Sequence, residues 1–387
     1  MSPSSVPHLP PIPLPGSDRW TQTLTRIASQ PLELAPDFPA VARRHEAWWN
    51  HDLIDRPLFL YRKSLDPVRS FGRRLDLLNQ PDRWLEVTRA DLAATAFLGD
   101  ELPNIRVDFG PVLLGPLLGA RTEFRSDTAW THSFINDDWS NLPPWRIDDD
   151  NPFWLLLGKL LDAVARDARG RYLLRTPDLG GSADVLLNLR GSEPLCLDVL
   201  DRPDLVSSAV DHLFPLWHRA FVEIYHRTLA QGAGLVHWIS LWSNRPYVVP
   251  ACDFSFMIGP RQFNSIFLPD LARQVESVGR AVFHLDGPGA TSHLDALLDL
   301  PNLTAVQYVP GAGSPSALPW IDLFRKIQSR GRSVLVLCPP DEVLTVLDLL
   351  QPEGLAFQPI EGPGWDHIDD IFKTLCSRFG CPPLRVS

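Results

Sequence analysis

The chain has 387 residues, 44% of them hydrophobic and 21% charged, with a formal net charge of -10. This composition supplies a large core, and the acidic balance disfavours nucleic acid or an anionic membrane surface as a partner. Five cysteines, at 196, 252, 338, 376 and 381, are odd in number and widely spaced; this speaks against a disulfide framework and fits a reducing, cytoplasmic setting.

Residues 1–16 are rich in Pro and Ser and read as a poorly ordered tail. They carry neither a basic segment nor an apolar run, so they do not read as a secretory signal. No charge-free stretch is long enough to span a bilayer. Residues 17–100 read as an N-terminal extension packed on a main domain of residues 101–387. Within the extension, Ala40 to Asn50 has a helical pattern ending in Trp48 and Trp49. Pro57 to Tyr61 reads as a short buried strand. Asp66 to Thr95 reads as mainly helical, with an apolar face of Leu75, Leu78, Trp84, Leu85 and Leu92. The 38 prolines cut the chain into short elements, which suits an α/β protein better than a long helical bundle.

The later chain is more regular. After a weaker strand candidate at Asn104–Phe109, apolar runs recur at 171–175, 234–239, 281–286, 304–309, 333–338 and 354–358. Each of the runs ends in a Gly- or Pro-rich turn, and helix-period segments separate them. Such alternation implies parallel βαβ units. About eight strands result, the number a closed (β/α)8 TIM barrel requires. The alternative is an open doubly wound sheet, but no G-x-G-x-x-G follows the first strand.

Barrel enzymes carry their chemistry at the C-terminal ends of strands. His284 and Asp286 are two apart on one strand, so they share a face while Phe283 and Leu285 take the other. An imidazole beside a carboxylate suits an acid/base pair or two metal ligands; a structural role for Asp286 at the following turn is the plainer reading. Cys338 ends another strand and is a candidate third ligand, although a buried inert thiol is more common. Asp253, in the loop after the 234–239 strand, can enter the mouth or cap a helix. Gln307 and Gln358 sit near strand ends, where an amide can hydrogen-bond substrate. Asp178 follows its strand directly, and catalysis or turn capping fits it equally well. Trp242 is a candidate pocket wall, and His237 reads as a core histidine. The turn Gly287-Pro288-Gly289 offers weak support for an anion site. No C-x-x-C, G-x-S-x-G or P-loop is present, so a closed zinc finger, a serine hydrolase and a P-loop NTPase all lack support.

These motifs together resemble the uroporphyrinogen decarboxylase-like superfamily. The resemblance rests on Pro177-Asp178-Leu179-Gly180-Gly181, Leu189-Arg190-Gly191, Leu197-Asp198 with Pro203, and Phe254 to Pro260 followed by Phe263 and Leu268-Pro269. Phe283-His284-Leu285-Asp286-Gly287 and Val309-Pro310-Gly311-Ala312-Gly313 complete it, over roughly residues 100–370. It implies a (β/α)8 barrel and either porphyrinogen decarboxylation or cobalamin-linked thiol methyl transfer. The segment around Asp55-Arg56-Pro57 does not reproduce the Arg-rich grip of the decarboxylases. The methyltransferase branch holds zinc with a His-x-Cys pair and a distant Cys. Here His284 is kept, Asp286 stands where the first Cys would be, and Cys338 is the stand-in for the second. The resemblance therefore implies a methyltransferase-like enzyme with a small-molecule substrate, zinc, and a corrinoid supplied by a partner protein. Its rivals are a decarboxylase in which Asp178 or Asp286 stabilises a protonated intermediate, and a non-catalytic barrel that binds a corrinoid or other small ligand. The first hundred residues would then form a lid, a barrel strand or the contact of a homodimer.

Overall fold

The computed structural model describes residues 26, 28–64, 77, 79–107, 109–124, 129–135, 139, 145–311 and 315–383. The expected tail, residues 1–16, lies outside the described residues, as do 66–76 and 78 of the expected second helix.

Helix α1 (Phe38–Trp49) has Pro39 in its first turn, where a missing N–H costs nothing. Phe38, Val41, Ala42, His45, Trp48 and Trp49 form its buried stripe. Strand β1 (Leu58–Ser64) follows, then helix α2 (Pro81–Ala93). The second helix was expected to run to Thr95, but Thr95 opens strand β2 (Thr95–Gly99). The reason is pairing: β2 runs antiparallel to β1, with Ser64 opposite Thr95 and Leu60 opposite Gly99. Strand β3 (Asn104–Arg106) and helix α3 (Pro152–Ala168) come next. Strand β4 (Leu173–Arg175), helix α4 (Ser182–Arg190), helix α5 (Pro203–Leu229), strand β5 (Leu235–Val236) and strand β6 (Trp242–Ser243) follow in order. The last third alternates strand and helix, with the short helix Leu294–Leu298 between its first two strands: helix α6 (Leu268–Val278), strand β7 (Ala281–Asp286), strand β8 (Leu303–Val309), helix α7 (Ile321–Ser329), strand β9 (Ser333–Cys338), helix α8 (Val343–Leu349), strand β10 (Leu355–Pro359) and helix α9 (Ile368–Arg378).

The strands form two arcs. One has the order β2-β1-β10-β9-β8-β7, parallel throughout except for β2. The other has the order β3-β4-β5-β6, with β6 folding back antiparallel on β5. Their inner faces share one apolar cluster, with Leu58 and Leu60 from β1, Leu235 from β5, Val282, Ala305, Leu335 and Ala356 from β7 to β10. The α/β class and the parallel strands agree with expectation, but the closed eight-stranded ring does not. Two causes are visible among the described residues. From Leu60 onward the free edge of β1 is taken by β2, which leaves no edge for β3. On the other side, residues 248–251 join β7 only through the isolated bridges Val248 to Ala281 and Ala251 to His284.

Outward side chains such as Phe283, Val306, Val336 and Phe357 pack against helix faces that include Leu271, Phe324, Val346 and Phe372. Full burial of each such side chain contributes about 1.5–3 kcal/mol. Helix α1 covers the N-terminal ends of the strands. Its Trp48 indole donates to Val334 O at 3.3 Å, and its Glu46 pairs with Arg280, the residue before β7. The strand C-termini lie at the opposite end. A buried ion network ties β1 to β2. Arg56 donates to both Asp100 oxygens, Phe59 N–H adds a 3.0 Å bond, and Arg44 bridges Asp100 and Asp55. Arg56 is thus committed within the fold. No helix among the described residues is long and apolar enough to cross a membrane.

Candidate metal centre at the strand ends

Strand parity places the first two site residues. On β7, Val282 faces the shared interior and Phe283 and Leu285 face the helices. His284 and Asp286 therefore continue the inner face towards the C-terminal ends of the strands, both half-buried. The segment 248–251 runs alongside β7, with Ala251 opposite His284. The chain then turns into a 3-10 helix at Asp253–Met257, which brings Asp253 to the same place. One ligand atom each from Asp253, His284 and Asp286 lie within 4.8 Å of one another. Asp253 is the most exposed residue of the three, although its carboxyl is largely desolvated.

Gln307 stands directly opposite His284 in the parallel register of β8 and β7, and its Oε1 lies 2.7 Å from His284 Nδ1. The amide oxygen accepts, so Nδ1 carries the hydrogen and Nε2 keeps a lone pair. That is the tautomer a metal ligand needs, with the orienting partner that metal-bound histidines usually have. Gln307, a candidate for substrate contact, is buried, and its amide oxygen hydrogen-bonds the imidazole. The Trp238 ring meets His284 edge-on at 5.0 Å between centroids.

Carboxylates crowd this end of the molecule. Desolvation pushes the Asp253 carboxyl above its usual range; His284 opposes this, while Asp286 and Asp178 add to it. Behind Asp253 lies Asp184, buried on α4, its carboxyl pushed well up by burial and by Asp253 and Asp178 against backbone donors. The sequence reading missed Asp184, whose only signal was its place just after Gly180-Gly181. Asp178 accepts the Gly180 N–H at 2.8 Å and so caps its turn, while its charge reaches both Asp253 and Asp184. Next to that turn, Val112 takes a φ of +57°. This conformation is strained for a β-branched residue, and strain of this kind gathers at functional ends of folds. Gln358 lies on the inner face of β10, two residues beyond Ala356, and its Oε1 is buried with no hydrogen-bond partner.

Two expected site residues lie elsewhere. Cys338 was a candidate ligand, but Leu335 faces the interior, so position 337 faces inward and position 338 outward. Cys338 is fully buried in the helix-side core, and burial, with Glu342 and Asp341, pushes its thiol far up. Cys338 thus lies on the other side of the sheet from His284 and Asp286, and the third residue beside them is Asp253. Trp242 was a candidate pocket wall, but β6 runs back towards the strand N-termini. There Trp242 packs edge-on to Phe38 of α1 and donates to Ala233 O at 2.7 Å. Trp238, four residues earlier, is the tryptophan at the site. The glycine turn after β7 also has another purpose. A Cβ on Gly289 would lie 2.8 Å from the Phe256 ring, and one on Gly287 would lie 3.1 Å from it. These glycines let the exposed Phe256 lie on the turn beside the carboxylates.

The sequence matches no protein-family model, and no curated protein matches it. Among solved structures, the chain is similar to a methyltransferase from Methanosarcina mazei, at 12% identity and a TM-score of 0.56. The similarity covers 88% of this chain and 99% of that one. At this identity it is a likeness of fold alone.

Proposed function

We propose that this chain is a methyltransferase-like enzyme whose site is a divalent metal centre formed by Asp253, His284 and Asp286. The convergence of three ligand atoms within 4.8 Å, one of them on a histidine already oriented by Gln307, carries this reading. The donor set fits the group: two carboxylates and an imidazole are competent zinc ligands, and they neutralise a dication. Two hard oxygen donors in place of thiolates also admit manganese or iron more readily than a thiolate site does. A cation held there supplies Lewis acidity, which lowers the pKa of a bound thiol acceptor.

The chain's own residues have definable tasks. Asp253 and Asp286 supply charge, His284 supplies Nε2, and Gln307 fixes the ring. Trp238 and Phe256 form apolar walls beside the ligands, where a small organic acceptor packs. Gln358 offers a buried amide oxygen to a donor on the substrate. The methyl donor would be a corrinoid carried by a partner protein, which docks over the open strand ends.

The test is metal content and binding. Protein purified without chelator should carry about one equivalent of zinc or a related metal. Cobalt(II) added to metal-free protein should give a ligand-field spectrum that Asp253→Ala and His284→Ala each abolish. Wild-type protein that takes up no metal at micromolar concentration would sink the proposal.

A further inference from the structure

Helix α4 begins at Ser182, just after Gly180-Gly181. A Cβ on Gly181 would stand 2.1 Å from Ala251 O, so glycine alone lets the first turn of α4 lie against the segment that carries Asp253. Asp184, in that first turn, is 4% exposed. Its Oδ1 accepts the Phe254 N–H at 3.0 Å, and the neighbouring Asp253 N–H helps to hold its carboxyl. The 3-10 turn Asp253–Met257 has no side-chain cap of its own: Cys252 precedes it and makes no capping bond. The first N–H groups of a helical turn need an acceptor. Asp184 provides it from another element, 69 residues earlier in the chain.

We propose that Asp184 is the positioning residue of the site: it caps the 253–257 turn from α4 and so sets the Asp253 carboxylate beside His284 and Asp286. This inference rests on the metal-centre reading for its purpose, but not for its geometry. Asp184 touches neither the ligand atoms of His284 nor those of Asp286. It acts through the backbone of Asp253, as an outer partner of a ligand does.

Two readouts test it. In metal-free protein, hydrogen exchange of the Asp253 and Phe254 amides should quicken at least tenfold in Asp184→Ala and stay near wild type in Asp184→Asn, which keeps an oxygen acceptor. Cobalt(II) affinity should fall roughly 10- to 100-fold in Asp184→Ala. Asp184→Asn should restore it, with the wild-type ligand-field spectrum. Where Asp184→Ala does not fold, Asp184→Ser serves, since its short hydroxyl does not reach both amides. Unchanged exchange of both amides in Asp184→Ala or Asp184→Ser overturns the inference. So does loss of affinity that Asp184→Asn fails to restore. If wild-type protein binds no metal but the exchange result holds, the metal reading fails while the positioning role stands.

Discussion

Gln307 Oε1 and His284 Nδ1 stand 2.7 Å apart across two adjacent parallel strands, in direct register. The bond fixes both the ring plane and the tautomer of His284. A role for Gln307 through His284 can be tested directly.

Gln307→Leu removes the acceptor and leaves the ring free to rotate. Metal affinity should fall roughly 10- to 100-fold. Gln307→Glu keeps an acceptor and makes the imidazole a stronger donor, so affinity should hold or rise. Calorimetric titration of metal-free variants with zinc measures both. Equal losses in the two variants would argue against an orienting bond.

Cys338→Ala separates the structure from the sequence expectation. The thiol is buried on the helix side of β9, away from His284. Removing it should cost about 1 kcal/mol of stability through lost packing. Metal stoichiometry and affinity should not change. A drop in bound zinc in this variant would return Cys338 to the ligand set.

These two residues show what the sequence could and could not say. The period of two placed His284 and Asp286 on one face with no further information. Applied to β9, the same period sets Cys338 apart from the inward positions, but only when the inward phase of that strand is known. That phase depends on Leu335 meeting Val282 and Ala305 inside the sheet, which is a tertiary fact. Asp253 and Asp184 were harder to read because neither lies on a strand. A 3-10 turn presents the first, and a helix start behind two glycines presents the second. Their meeting depends on a close backbone approach at Gly181. The barrel expectation failed at its edges for a similar reason: whether β1 pairs with β2 or with β3 is decided by loop geometry, and strand composition does not encode it.

The buried network at the start of β1 sets a stability prediction. Burial alone would raise the Asp100 carboxyl, but the Arg56 and Arg44 guanidiniums outweigh it and hold the group below its usual range. Asp100→Asn would leave the buried Arg56 charge without its counter-ion. The expected cost is about 3–5 kcal/mol, read from the urea midpoint. A loss under about 1 kcal/mol would mean that water reaches Arg56.

Buried His237 gives the fold a stability that falls towards acid pH. It is buried, its Nδ1 lies 2.9 Å from the Thr176 hydroxyl, and Phe221 stacks on its ring. Burial, with the Arg106 and Arg175 charges, lowers its pKa to about 3. The unfolded chain takes up that proton near pH 6.5 and the folded chain does not until about pH 3. Between these values the unfolded state binds more protons, so stability falls as the pH falls. The slope from this one group approaches roughly 1.4 kcal/mol per pH unit well inside the window. Above pH 6.5 it contributes no slope. His237→Asn keeps a polar group near Thr176 without a titrating ring. Its stability should therefore be lower than wild type at pH 7 but flatter from pH 6 to pH 4. Urea unfolding at each pH measures this, and parallel curves for the two proteins would show that His237 does not govern the acid limb.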